Sequence, residues 1–189
     1  MQMFEYIIVL ISIVIGLALT HLMQGIAGLI QHPRRAGVWW VHLVWVAYMA
    51  ISTIFWWWWQ FNLQKVVTWT FAVYFFVLCY AFLIYIICVF LFPDDLEEYD
   101  NFHDYFLARR RWFFGLLIAW QAIDLFDSWI KGPEHFASLG MEYLVAWVAF
   151  SLLALVGIWT RRANIHAAIA LLYLAYNISW VLRLFNTVG

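Results

Sequence analysis

Charge is what this 189-residue chain has least of. Lysine, arginine, aspartate and glutamate make up 11% of it, against roughly a quarter in an ordinary globular domain. So few charges cannot cover a soluble surface, and a net charge of −1 gives no case for binding nucleic acid. Cysteine is scarce as well. Cys79 and Cys88 fall on different faces of one helix, match no metal or redox spacing, and read as small packing residues. No basic leader precedes the first apolar run and no small-residue cleavage site follows it, so that run is expected to stay as an anchor. Reaction motifs are missing too: there is no HExxH, no glycine-rich phosphate loop and no usable nucleophile–base pair. The residues therefore point to no catalytic group, metal or cofactor, and an enzymatic role is not the first expectation.

What fills the chain instead is apolar, 67% by count. Six runs, 4–30, 39–59, 66–92, 112–130, 141–160 and 166–184, each reach the roughly 20 residues needed to cross a bilayer as a helix. Continuous runs of this kind exclude a β-barrel, whose strands alternate in polarity. The expected fold is a single all-α polytopic membrane domain over residues 1–189, with six transmembrane helices and short connections.

The arginines orient it. Arg34, Arg35, Arg109, Arg110, Arg111, Arg161 and Arg162 all fall in alternate connections on one side, while the other side holds Lys65 and Lys131, with Arg183 near the end of the last span. Cationic connections resist translocation, so the arginine side is expected to be cytoplasmic and both termini to face outward. Compact connections and the lack of an organelle signal suggest a cell inner membrane. The longest connection reads as a short interfacial helix over about 94–110. Asp94 or Asp95 would cap it, with Glu97 or Glu98 reaching back. Leu96, Tyr99, Phe102, Phe106 and Leu107 would form a stripe lying on the headgroups. A solvated, charge-balanced connector is the plainer alternative.

Tryptophan is a heavy load, fourteen in all, with its clusters at span ends. Trp39 and Trp40 open the second span, Trp56–Trp59 close it, and Trp69 follows. Indole prefers the headgroup boundary, so an interfacial belt accounts for most of them. A four-tryptophan run points all round a helix, so at most two of the four can share a pocket. Trp56, Trp59, Trp69 and Trp180 are the candidates for an aromatic wall able to stack a quinone, a lipid tail or a cationic head group.

Ionisable groups inside the spans carry the functional expectation, because unpaired charge in hydrocarbon costs several kcal/mol. Asp124 and Asp127 lie on the fourth span, Glu142 opens the fifth and Arg183 nears the end of the sixth. Gln121, Asp124 and Ser128 share one helical stripe, and Tyr173, Asn177 and Trp180 share another. The two stripes are expected to face each other, with Arg183 bridging to Asp124, Asp127 or both. Three acids against one arginine leave an excess of negative groups, so at least one acid should take up a proton or bind a cation. Asp124, the deepest, is the candidate.

In the first span Ser12, Gly16, Thr20, Gln24 and Gly28 repeat every four residues, a stripe suited to close helix approach and to self-association. His21 lies beside it and His42 could come within reach. Their spacing does not fit the paired histidines of haem-bearing membrane proteins, and hydrogen-bonded packing is the plainer role. Trp45-Val46-Ala47-Tyr48 recurs as Trp147-Val148-Ala149-Phe150, a faint sign of a 3+3 inverted repeat that would place a site between His21 and Gln24 on one side and Asp124 on the other. The expected function is binding or conduction of a small solute, ion or apolar ligand along this polar pathway, with membrane lipids and a homo-oligomer or larger membrane complex as partners. The competing class is a scaffolding subunit of such a complex, and a haem- or quinone-associated redox protein is a third.

Overall fold

The computed structural model describes residues 3–32, 37–66, 68–96 and 98–185. The chain runs α1 (Met3–Gln31), α2 (Trp40–Trp59), a 3-10 helix (Gln60–Lys65), α3 (Phe71–Leu91), α4 (Phe102–Ile130), α5 (Pro133–Ser138), α6 (Gly140–Trp159) and α7 (Ala163–Phe185). All but α5 and the 3-10 helix are long and apolar enough to cross a membrane. The protein is an all-α polytopic membrane protein with six spans.

The expected interfacial helix over 94–110 is not a separate element. Residues 98–101 are irregular, and α4 runs unbroken from Phe102 to Ile130. Asn101 caps it instead of Asp94 or Asp95, accepting from the Asp104 amide at 3.0 Å. The stripe that seemed suited to headgroups packs inward: Phe102 and Phe106 are buried in the protein core, and Leu96 and Leu107 pack against it. An amphipathic pattern fixes which face is covered but not what covers it. Arg34, Arg35 and Glu97 lie outside the described residues. At the start of the third span, residues 66 and 68–70 are non-helical; Thr70 then caps α3 by accepting from the Val73 amide.

α1 packs along α3 and α3 along α4, while α2 sits between α1, α3 and α7. α6 lies between α4 and α7, which closes a ring of α2, α4, α6 and α7. Pairing differs between the halves of the chain: the first span packs chiefly on the third, the fourth chiefly on the fifth. The packing thus gives the faint internal repeat no counterpart.

The arginine-side end of α3 shows what holds the first half together. A helix leaves its last carbonyls without intrahelical partners, and hydrocarbon supplies none. Three consecutive carbonyls are met by side chains from three different helices. Tyr105 of α4 donates to Phe90 O at 2.7 Å, His42 of α2 to Leu91 O at 2.7 Å, and His21 of α1 to Phe92 O at 2.9 Å. This is where both histidines spend a ring N–H. α1 comes close here through Gly25: a Cβ on it would sit 2.2 Å from the Phe92 ring. The stripe expected to mediate close approach does not do so within the chain, since Gly16, Thr20 and Gln24 are exposed and a Cβ on Gly16 or Gly28 would meet nothing within 4 Å.

Between the α2–α4–α6–α7 ring and the arginine side lies a layer of aromatic side chains. Trp45, Phe106, Phe113 and Phe114 are essentially unexposed. Trp45 presents its ring edgewise to Phe113 at 4.9 Å and to Phe114 at 5.7 Å, and Phe114 stacks on His166 at 5.6 Å. α6 admits Phe114 at Gly157, where a Cβ would fall 2.5 Å from the ring. Gly157→Ala is therefore expected to cost about 1–3 kcal/mol by overpacking, read as a lowered thermal midpoint in detergent. Gly16→Ala, with open space around it, should hold or raise that midpoint.

Candidate functional site

A cleft of about 200 Å³ opens between α2, α4, α6 and α7. It lies in the half of the bundle away from the arginine-rich connections, because its lining comes from the later part of α2 and α4, the start of α6 and the later part of α7. The ring leaves room for it because α4 and α7 pack against α2 and α6 rather than closely on each other, and because Ser52, Ser128, Ala146 and Asn177 are small enough to leave space. Eleven of its eighteen lining side chains are aromatic.

Gln121 ties its deep end together. The side chain of Trp147 donates to Gln121 O at 2.8 Å, Ser151 donates to Gln121 Oε1 at 2.6 Å, and Gln121 Nε2 donates to the Tyr173 hydroxyl at 2.8 Å. Tyr173 passes its own hydrogen to Phe150 O at 2.7 Å. One glutamine thus joins α4 to both α6 and α7. On the opposite wall Asn177 donates to Ser52 Oγ at 3.0 Å, which links α7 to α2.

Asp124 is the only acidic or basic side chain among the lining residues. The Tyr80 hydroxyl reaches Oδ1 at 2.9 Å and the Tyr143 hydroxyl reaches Oδ2 at 2.7 Å. Trp120 Nε1 lies 2.8 Å from the Tyr80 oxygen. An indole N–H can only donate, so Tyr80 accepts from Trp120 and gives its hydrogen to the carboxylate. Tyr143 lies 2.7 Å from the acid and 3.4 Å from Ser128 Oγ, so its shorter bond also runs to Asp124. Both carboxyl oxygens act as acceptors.

The other acids are paired, but not as the sequence suggested. Arg183 bridges to neither aspartate. It binds Glu142 in a two-pronged pair, Nη1 to Oε2 at 2.8 Å and Nη2 to Oε1 at 2.6 Å, across the outer edge of α6 and α7. Asp127 takes its cation from one turn along its own helix, with Lys131 Nζ 2.5 Å from Oδ2. Both of those side chains are buried, at 2% and 0% exposure. Helix α4 turns Asp127 away from α7, where Arg183 sits, and Lys131 follows it at the favourable i,i+4 spacing. Two of the three acids thus have cations, and Asp124 has none among the described residues.

Of the other candidates, Asn177, Trp56, Trp59 and Trp180 line the cleft with Asp124. Trp57 instead donates to Ser12 Oγ at 2.8 Å, and Trp58 is 51% exposed. Trp69 packs against the core elsewhere. His21 is committed to the end of α3 and Gln24 is exposed, both in the half opposite the cleft, so no site forms between His21 and Asp124. The tyrosines are what sequence reading missed. Tyr80 and Tyr48 sit mid-span and Tyr143 in the first turn of α6, and a phenol within a span needs a partner, which was the available signal. No family model, curated protein or solved structure matches the chain.

Removing one member of a buried ion pair strands the other. Lys131→Met is expected to cost about 3–5 kcal/mol, whereas the double change Asp127→Leu with Lys131→Met should recover most of it. Thermal unfolding of the three proteins in one detergent checks this; a single mutant as stable as the parent would refute the buried pair.

Proposed function

We propose that this protein binds a small ligand with an apolar, ring-sized body inside the membrane, in the cleft between α2, α4, α6 and α7. The observation that carries the reading is the cleft itself: mostly aromatic walls, a few converging polar groups, and a closed floor. A cavity of about 150 Å³ is enough to hold benzene, so about 200 Å³ accommodates a single-ring ligand. Apolar walls with a few placed polar groups are what small-molecule sites share.

Binding is favoured over conduction. Every lining residue lies in one half of the bundle, and beneath them Trp45, Phe113 and Phe114 fill the space between helices. The arginine-rich connections, read by the positive-inside rule, make that filled half cytoplasmic, so a ligand would enter from the outer side of a cell inner membrane. Asp124 and Asn177 serve as the polar anchors, Trp56, Trp59 and Trp180 as the stacking wall, and the Glu142–Arg183 pair as a clasp at the rim. A scaffolding role is the competing reading; it would use the exposed Gly16, Thr20 and Gln24 face of α1 for a second copy or a partner subunit.

The test uses bromobenzene, a neutral single-ring quencher of tryptophan fluorescence, on the protein in lipid nanodiscs. Five lining residues are tryptophans, so occupancy should appear as a saturable component on top of the linear quenching from partition into lipid. Ala146→Phe, which fills the cleft from α6, should abolish the saturable component and keep the linear one. Equal quenching curves for the two proteins would overturn binding in this cleft. A proton or sodium flux in liposomes carried by the parent protein would restore conduction as the leading reading.

A further inference from the structure

The cleft has an imbalance that a neutral ring would not resolve. Its one ionisable group is the Asp124 carboxyl, which has no cation partner among the described residues, while Asp127 and Glu142 each have one. Two tyrosine hydroxyls satisfy part of its hydrogen-bonding capacity, but they bring no positive charge. Holding an ionised carboxylate in a membrane interior without a countercharge costs several kcal/mol. A second acceptor sits in the lining: Asn177 gives its amide hydrogen to Ser52, and its Oδ1 is buried without a partner. The aromatic rings add to this, since their faces carry the negative end of the ring quadrupole. At the rim a cation already uses one of them, the Arg183 guanidinium carbon lying 5.5 Å from the centre of the Trp180 ring.

We infer that the ligand class is an organic cation, an ammonium group joined to an apolar body, with Asp124 as its countercharge and the surrounding rings as its cage. This rests on the cleft being a ligand site at all. The bare carboxylate attracts the ammonium, the aromatic faces receive its methyl or methylene groups, and the remaining space takes the apolar body. An inorganic cation fits less well. It asks for six or more oxygen ligands, whereas the wall is mainly ring carbon, and among the described residues no three histidine, cysteine, aspartate or glutamate side chains converge to hold a metal. A small ammonium needs only one carboxylate and a set of ring faces.

Two probes of nearly equal shape isolate the charge: phenyltrimethylammonium and tert-butylbenzene, titrated into the protein in nanodiscs of zwitterionic lipid, with tryptophan emission as the readout. The parent protein should bind the cation at least about tenfold more tightly than its neutral counterpart after lipid partition is subtracted. In Asp124→Asn that preference should shrink to about twofold or less, while tert-butylbenzene still binds. Equal affinity of the parent for the two probes would overturn the cationic class and leave the cleft intact as a ligand site. A cation preference that survives Asp124→Asn would overturn the role of Asp124. Failure of both probes to give saturable binding would overturn the ligand site itself. The comparison on the parent protein decides the class even if the variant does not fold.

Discussion

Polar groups in a hydrocarbon slab must find partners within the protein, and that constraint organises this molecule. Its clearest expression is the end of α3, where Phe90, Leu91 and Phe92 carbonyls draw Tyr105, His42 and His21 from three separate helices. A soluble protein could leave such carbonyls to water. Here the unmet acceptors specify which helices must meet and at what depth. The bond from His166 to Thr160 O, at 3.2 Å, applies the same rule at the end of α6. Histidine suits the task because a neutral ring supplies one N–H without bringing a charge into the slab.

The cleft is the same constraint left partly unmet. Around the floor, Gln121, Trp147, Ser151 and Tyr173 close on one another. Higher up, among the described residues, Asp124 receives two hydroxyls and no cation, and Asn177 Oδ1 has no hydrogen-bond partner. The contrast with Asp127 is instructive. It lies one helical turn away on the same helix, yet it is sealed with Lys131 in a buried pair. Adjacent aspartates thus have different work, one holding structure and one facing open space.

Much of the fold was legible because length and hydropathy leave little freedom to a chain so poor in charge. The six spans lie within a few residues of where the apolar runs put them, apart from the start of α4. There the pattern of Phe102, Phe106 and Leu107 gave the helical face but not its partner, and the partner was the protein core. The lining of the cleft was legible only in part. Stripes at spacings of three and four put Gln121, Asp124 and Ser128 on one face of α4 and Tyr173, Asn177 and Trp180 on one face of α7, and both stripes border the cleft. Pairing was not legible, since depth alone cannot say which way a helix is turned. Arg183 lies at the level of Asp127 yet faces Glu142, while Lys131, at i,i+4 from Asp127, carried a local signal outweighed by its place in a connection. Tyr80 was hidden for a further reason: it reaches Asp124 from α3, and nothing in the order of residues along α3 says which neighbour it meets.

The fan of bonds around Gln121 has a mechanical consequence. Parting α4 from α6 at that level would break the Trp147 and Ser151 bonds together, and drawing α7 away would break its bond to Tyr173 and strain Tyr173's own bond to Phe150. Nearer the mouth, α7 is tied by the Asn177–Ser52 bond and by the Glu142–Arg183 pair, which is half-exposed and therefore weak. The vestibule is therefore stiffest at its base and most compliant at its lip. A ligand of the kind proposed would meet a lip able to spread and a base that resists, so its depth of seating would be set by the protein and not by the guest.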